Sequence, residues 1–553
     1  MRLAAVLALG FLAIGCRPSP PTIAVDNPVV VEGVQIEGFD VLPVDARAAL
    51  SRALPLGPGT DLTREREQAA GERAVQILQN HGYPYAQVSL ERVPIGSTRA
   101  RVILRAEPGT LGYFGPIDIV GNRRVDDVVI RRRVAYAPGD LFRRSAIERT
   151  QQRIGSLGLF KSVEIRAGSA AASGAIGASR SGGADRGAAA PGSTIDTQPA
   201  EVPTLITVVE QSPWQWNLSA SYAAGERLGF DARVSNLNFL GAARRLDVQG
   251  RVSRIEKTGE VAFTQTEAWH PALSLQLQAR HQEIDEQSFF VMSRGGQAAV
   301  GWRWTPAFST TFSYTAAFER SDVDEDLDVL VGLQDGMLSA WSIDLDHRRV
   351  LSDRRTDLLV AGIDAPPTRT MSAHVEQAGG WMPGTFNYFN VIGDVRHYRR
   401  AFGDRVMFAS RLRYGAIEPF GPEADIPLLK RFFLGGSNEM RGWGIYEVSP
   451  LSASGEPVGG KSMVTATGEV RVRLLPRLSG ALFIEAGNVW QDSWSVHLDD
   501  LLYDIGPGFR LQTPFGLIRV DFGYQLRTLE GLRIDGQPQK YRWRFNMGIG
   551  EAF

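Results

Sequence analysis

The sequence predicts a chain in two parts: two α+β repeats, then an all-β, 16-stranded transmembrane β-barrel. Three observations predict it. One order of elements, strand-helix-helix-strand-strand, occurs twice between residues 29 and 210. From residue 214 onward, about sixteen segments of roughly ten residues follow one another as strands, the length a tilted strand needs to cross a bilayer. The chain closes on Tyr541-Arg-Trp-Arg-Phe-Asn-Met-Gly-Ile-Gly-Glu-Ala-Phe553. There Tyr541, Trp543, Phe545, Met547 and Ile549 alternate with Arg542, Arg544, Asn546 and Gly548. Side chains alternate across a strand, so one face suits lipid and the other suits water.

Composition sets the outer bounds. The 553 residues leave room for several domains. A hydrophobic fraction of 43% and a mean hydropathy of −0.13 exclude a helical membrane protein. Beyond the N-terminus no apolar run approaches the ~18 residues of a spanning helix. A net charge of −1 argues against a nucleic-acid partner.

Residues 1–15 read as a lipoprotein-type signal peptide. Arg2 precedes an apolar run that ends in Leu12-Ala-Ile-Gly-Cys16. Cys16 is the only cysteine, so it has no internal disulfide partner. The pattern resembles a bacterial lipoprotein signal, which implies lipid attachment at Cys16. Residues 16–28, with Pro18, Pro20 and Pro21, form a tether.

The first repeat occupies residues 29–107. Residues 29–36 alternate as a strand, and residues 43–54 and 62–80 carry helical spacing, the latter through Leu62, Ala69, Ala70, Ala74, Ile77 and Leu78. His81-Gly-Tyr-Pro84 stops the second helix. Residues 85–93 and 99–106 complete the unit as strands. The second repeat, residues 108–210, has strands at 114–122, 162–166 and 204–210 and helices at 126–134 and 143–157. Residues 168–200, rich in Gly, Ala and Ser, read as a disordered insertion.

The barrel occupies residues 214–553. Short turns fall at 239–242, 270–273, 305–308, 401–404, 475–478 and 513–516. Longer connections, at 321–335, 416–460, 491–500 and 526–540, often fall between them, the habit of outer-membrane barrels. Residues 349–367 break the rule, being long where a short turn is due.

Alternation sends Leu482, Ile484 and Ala486 toward lipid, and Phe483, Glu485 and Gly487 toward the lumen. A lumenal carboxylate invites a guanidinium. The longest connection offers Arg441 between Gly435, Gly436, Gly442 and Gly444, able to fold back inside. The pair is expected to be partly solvated and worth ~0.2–1 kcal/mol, so its role is positioning.

No enzyme constellation is present. The seven histidines are scattered, HExxH and GxSxG are absent, and one cysteine builds no thiolate site. The acidic run at 322–328 lacks the full calcium-loop spacing. Catalytic residues, metals and cofactors are therefore not expected.

Two such repeats before an even-stranded barrel resemble the BamA/TamA superfamily of outer-membrane assembly factors, whose repeats are called POTRA domains. Four motifs carry the resemblance. Gly121-Asn122, followed by Gly158-Leu-Phe-Lys-Ser-Val163, is similar to the repeat ending. Arg441-Gly442-Trp443 resembles the Arg-Gly-aromatic tip of the family's inward-folded loop. Phe483-Ile-Glu-Ala-Gly487 resembles the strand that receives it, with Glu485 where Asp is usual. Gly508-Phe-Arg-Leu-Gln-Thr-Pro-Phe-Gly516, running into Arg519-Val-Asp-Phe-Gly523, resembles the C-terminal hairpin.

The resemblance implies a bacterial outer-membrane protein with periplasmic repeats and no enzymatic activity. Its partners would be unfolded outer-membrane or secreted clients, outer-membrane lipid, and periplasmic or inner-membrane assembly proteins. It implies capture of clients on POTRA strand edges and lateral opening between the first and last barrel strands. Ser219, Asn546 and Phe553 lie along that seam, with Ser219 and Asn546 facing the lumen. The alternatives are a two-partner-secretion-type exporter passing one client through the lumen, and a passive porin or surface-binding barrel.

Overall fold

The computed structural model describes residues 29–168, 199–223, 227–286, 289–323, 335–350, 368–402, 405–421, 426–513, 516–534 and 536–549. Cys16, Phe553, the insertion at 169–198 and most of the acidic run therefore lie outside the described residues. The described chain falls into two compact units. One holds the repeats, and the other holds the barrel together with the short segments Asn122–Val129 and Leu157–Lys161.

The first repeat runs β1 (Val30–Glu37), α1 (Val44–Ala53), α2 (Arg64–Asn80), β2 (Gln87–Ile95) and β3 (Arg99–Glu107). Thr63 caps α2, its hydroxyl accepting the Arg66 N–H at 3.3 Å. The sheet order is β1-β3-β2, with β1 parallel and β2 antiparallel to β3. Leu50, Ala74 and Leu78 of the helices and Leu104 and Ala106 of β3 form its core. The second repeat runs β4 (Gly112–Val120), α3 (Asp127–Arg131), α4 (Arg144–Gly155), β5 (Phe160–Ala167) and β6 (Ala200–Glu210), in sheet order β4-β6-β5.

One detail confirms that these are copies. Gly38 follows β1 at φ +78° and Gly121 follows β4 at φ +96°. A Cβ at either would lie about 2 Å from a carbonyl of the central strand, that of Ala106 or Val208. Only glycine serves there.

Helix α3 is shorter than the predicted 126–134. The Ala135 N–H goes to Thr150 Oγ1 at 2.9 Å instead of a helical carbonyl. Pro138 also disfavours a helical conformation at Ala137.

The barrel closes with sixteen antiparallel strands. They are β7 (Trp214–Ala223), β8 (Arg227–Phe239), β9 (Arg244–Val252), β10 (Glu256–Thr266), β11 (Leu273–Asp285), β12 (Phe289–Thr305), β13 (Phe308–Val323) and β14 (Asp335–Val350). There follow β15 (Thr368–Ala378), β16 (Tyr388–Ala401), β17 (Val406–Pro419), β18 (Ser462–Leu475), β19 (Leu478–Trp490), β20 (Leu502–Thr513) and β21 (Gly516–Gln525). A small hairpin, β22 (Arg533–Ile534) and β23 (Gln537–Pro538), precedes the last stave, β24 (Trp543–Ile549).

Connections at the rim where β7 begins are short, apart from the β14–β15 link, residues 351–367, which lies outside the described residues. At the far rim the rule holds only from β13 onward, because only three residues separate β7 from β8, β9 from β10 and β11 from β12. The predicted face assignment is clear in β19. Leu482 and Ile484 are 56% and 50% exposed, whereas Phe483 and Glu485 are 1% exposed.

Candidate functional site

Between β17 and β18 the chain leaves the far rim and folds back into the lumen. Its two legs meet through bridges Phe432–Gly460 and Leu434–Val448, so the excursion is a hairpin. Its apolar side chains, among them Phe432, Leu434, Met440, Trp443 and Val448, pack with Phe386, Tyr388, Met463 and Val489 of the wall region. A water-facing lumen thus holds a dry core.

The tip is built for close approach. The Trp443 N–H donates to the Met440 carbonyl at 2.9 Å, closing a turn around Arg441 and Gly442. A Cβ on Gly442 would lie 2.7 Å from Asp504 Cβ, and one on Gly487 would lie 3.3 Å from both Leu434 Cδ1 and Met440 Sδ of the loop. On the wall, a Cβ at Gly523 would sit 2.5 Å from the Arg441 backbone. These glycines let the tip lie flat on β19, β20 and β21.

Arg441, Gly442, Trp443, Phe483, Glu485 and Gly487 are thereby brought together, and both Arg441 and Trp443 are fully buried. The Arg441 N–H donates to Glu485 Oε2 at 2.6 Å, and its Nε lies 3.3 Å from Glu485 Oε1. Its Nη1 donates to Glu469 at 2.8 Å and lies 3.5 Å from Asp521. The guanidinium stacks 3.5 Å from the Phe483 ring centroid, a cation–π contact out of water.

The expectation of a partly solvated pair is corrected. Both side chains are 0% exposed, and Arg441 serves three carboxylates instead of one. Its neighbours are themselves paired. Arg471 holds Glu469 at 2.7 Å, while Arg510 holds Asp521 at 2.7 Å and Glu469 at 3.2 Å. Glu485 accepts further from Thr467 at 3.1 Å.

Sequence reasoning missed Glu469, Asp521 and Arg510. The available signal was charge at lumen-facing positions of β18, β20 and β21; the missing information was register. It also missed two further anchors of the loop. Lys430 donates to both oxygens of Glu376 on β15 at 2.9 and 2.8 Å, and the Tyr388 hydroxyl donates to that carboxylate at 2.8 Å. Glu447 accepts from Arg544 of β24 at 2.9 and 3.1 Å.

At the seam, β24 meets β7 through two partner pairs among the described residues, Asn546–Ala223 and Met547–Tyr222. By comparison β21 and β24 share seven, and β12 and β13 share sixteen. Asn546 is buried toward the lumen, where its Nδ2 donates to the Arg441 carbonyl at 3.0 Å. These pairs give the register that the sequence leaves open. Asn546 stands opposite Ala223, and the Ser219 hydroxyl contacts Asp231 of β8 at 3.5 Å. Ser221 is the residue across from Gly548, with its Cβ 4.0 Å from where a Cβ would stand there.

A lumen-folded loop clamped by an Arg-Gly-aromatic tip, in a closed sixteen-stranded barrel preceded by two α+β repeats, defines a β-barrel of the outer-membrane type. The chain belongs to the Omp85 superfamily, whose domain model matches residues 238–553. A POTRA model, described as a surface antigen variable number repeat, matches residues 112–176. The chain is 22% identical over 452 residues to outer membrane protein assembly factor BamA of Nitratidesulfovibrio vulgaris, covering 79% of this chain and 51% of that one. It is 22% identical over 486 residues to the protein of the same name from Neorickettsia risticii, covering 83% and 59%. The chain thus spans about half the length of the curated relatives it matches.

Among solved structures, BamA from Haemophilus ducreyi lacking POTRA domains 1–3 superposes with TM-score 0.71 at 14% identity, covering 94% of this chain and 99% of that one. CdiB from Acinetobacter baumannii gives 0.50 at 12% identity, covering 98% and 92%. These likenesses concern the fold. The barrel lies in the bacterial outer membrane, with the POTRA repeats in the periplasm.

Proposed function

We propose that this protein is an outer-membrane protein assembly factor that captures unfolded clients on its POTRA edges and inserts them at the β7–β24 seam. The observation that carries the reading is the seam itself, with two partner pairs among the described residues. Unpaired backbone groups in lipid cost several kcal/mol each. A weakly closed seam therefore offers an incoming strand partners that hydrocarbon cannot supply.

Capture draws on the first repeat, where β2 is an edge strand. Beside it runs a groove of about 590 Å³ between β2 and α2, lined by Val75, Val88, Leu90 and Arg92. Strand addition there uses main-chain hydrogen bonds, so it accepts many sequences. The clamp at Arg441 keeps the loop against the wall. The partners are unfolded client proteins and outer-membrane lipid.

Depletion of the protein in its own bacterium tests the reading. The expected result is loss of several barrel proteins from the outer membrane. Loss of one secreted protein, with the barrels intact, would overturn it in favour of an exporter.

A further inference from the structure

The two sides of the seam are not held alike. In β24 the lumen-facing positions are Arg544, Asn546 and Gly548, and both side chains among them end on the loop. Asn546 donates to the Arg441 carbonyl and Arg544 to both oxygens of Glu447. The Arg544–Glu447 pair is 12% and 11% exposed, which shields it from water and salt. Glu447 is itself fixed, accepting the Gly444 N–H at 2.7 Å. The neighbouring β21 adds Gln525, which donates to the Gly442 carbonyl at 2.9 Å, and Arg519, which donates to Asn438 at 3.2 Å.

Strand β7 has nothing comparable. The described contacts of its lumenal side chains are confined to Ser219 with Asp231 of β8, and Gln215 and Asn217 stand exposed. Across the seam it has two backbone pairs among the described residues. Charge-assisted, buried hydrogen bonds are about twice as strong as neutral ones. When the seam strains, its neutral backbone pairing therefore yields before the loop's charge-assisted grip on β24.

We infer that the loop and β24 form one body held by Glu447 and Arg544, and that the seam opens by β7 leaving that body, not by β24 leaving the loop. The inference rests on the reading that the seam opens. Glu447 and Arg544 are then positioning residues: they keep the last strand in place while the first departs.

Two cross-links in the full chain, with Cys16 replaced by Ser, separate the possibilities. The first pairs Ser221→Cys with Gly548→Cys, whose 4.0 Å Cβ spacing falls in the disulfide range. The second pairs Glu447→Cys with Arg544→Cys. These positions meet through two long side chains, so they are bridged with a short, reducible bis-methanethiosulfonate. The assay is folding of a urea-unfolded small outer-membrane barrel into phosphatidylethanolamine–phosphatidylglycerol liposomes carrying the protein. Folding of client and catalyst alike is read from heat-modifiable gel mobility.

The seam disulfide is expected to lower activity at least tenfold, with recovery on reduction. The unbridged Glu447→Cys/Arg544→Cys chain is expected to run about fivefold slow, a change of about 1 kcal/mol. Bridging it should restore activity to within about twofold of the parent, because it replaces the lost tether. If bridging instead lowers activity while the seam disulfide also blocks it, the seam opens but β24 must leave the loop, and the inference is overturned while the reading stands. A fully active seam disulfide overturns both.

Discussion

Arg441→Ala is the sharpest perturbation of the clamp, and its cost follows from what each partner retains. Glu469 keeps Arg471 at 2.7 Å and Arg510 at 3.2 Å, and Asp521 keeps Arg510 at 2.7 Å. Glu485 keeps the Thr467 hydroxyl and loses the guanidinium. One buried carboxylate is thus stripped of its charge partner, at a cost of about 3–5 kcal/mol. At about 1.4 kcal/mol per tenfold, the loop's docking constant falls by roughly two to three and a half decades.

Glu485→Ala is milder. It leaves Arg441 on Glu469 but orphans the Arg441 N–H, for about 1.5–3 kcal/mol. The assay is thiol labelling of Met440→Cys in a Cys16→Ser background, since Met440 is fully buried in the docked loop. When reclosing outruns labelling, the rate tracks the undocked population. The expected order is parent slowest, then Glu485→Ala, then Arg441→Ala, with the double variant slower than the product of the singles. Additive effects, or an Arg441→Ala rate within about threefold of the parent, would refute the clamp.

Three further outcomes are expected. Gly523→Ala should undock the tip by about 1–3 kcal/mol, because its Cβ would meet the Arg441 backbone at 2.5 Å, whereas Gly259→Ala, with open space around it, should label like the parent. Glu210 accepts the N–H groups of Arg123, Arg124 and Val125 at 2.7, 2.8 and 3.0 Å. Burial pushes its pKa up, but these donors outweigh that and hold it below the ordinary value, so its stabilisation is present above the unfolded pKa and lost as pH falls through the folded one. Hydrogen exchange at 123–125, corrected for intrinsic rates, should accelerate on acidification, and Glu210→Gln should abolish that dependence. Intact-mass spectrometry of the mature protein should show an acylated Cys16; a mature chain with a free thiol there, or without Cys16, would overturn lipid attachment.

Much of the fold was legible because two periods dominate the sequence. Period-two alternation is visible in Leu482 to Gly487 and again in Tyr541 to Ile549, and helical spacing is visible from Leu62 to Leu78. The repeat was legible through Gly121-Asn122, although Gly38, its counterpart, became meaningful only once both were seen against a central-strand carbonyl. Register was not legible. Whether Ser219 or Ser221 meets Gly548 depends on how a closed barrel staggers its ends. The same ignorance hid Glu469 and Asp521. Each is an unremarkable charge on its own strand, and only the stacking of β18, β19 and β21 carries them beneath Arg441.

The buried charges pose an energetic question, because replacing such a cluster with apolar side chains is often neutral or stabilising. Attraction to the wall does not require them. Trp443, Met440, Leu434 and Val448 already bury a substantial apolar surface. That attraction is non-directional, however, and would hold the loop in several positions along the wall. Arg441 removes the freedom: its backbone N–H and Nε meet Glu485 of β19, its Nη1 meets Glu469 of β18, and its carbonyl accepts from Asn546 of β24. A slip of one residue would leave the Arg441 guanidinium and the Glu485 carboxylate out of water without their charge partner, at a cost of about 3–5 kcal/mol. Apolar burial thus supplies adhesion, and the charges select one register. In that register Glu447 stands beside Arg544, so the same residues that place the loop also decide where the last strand is held.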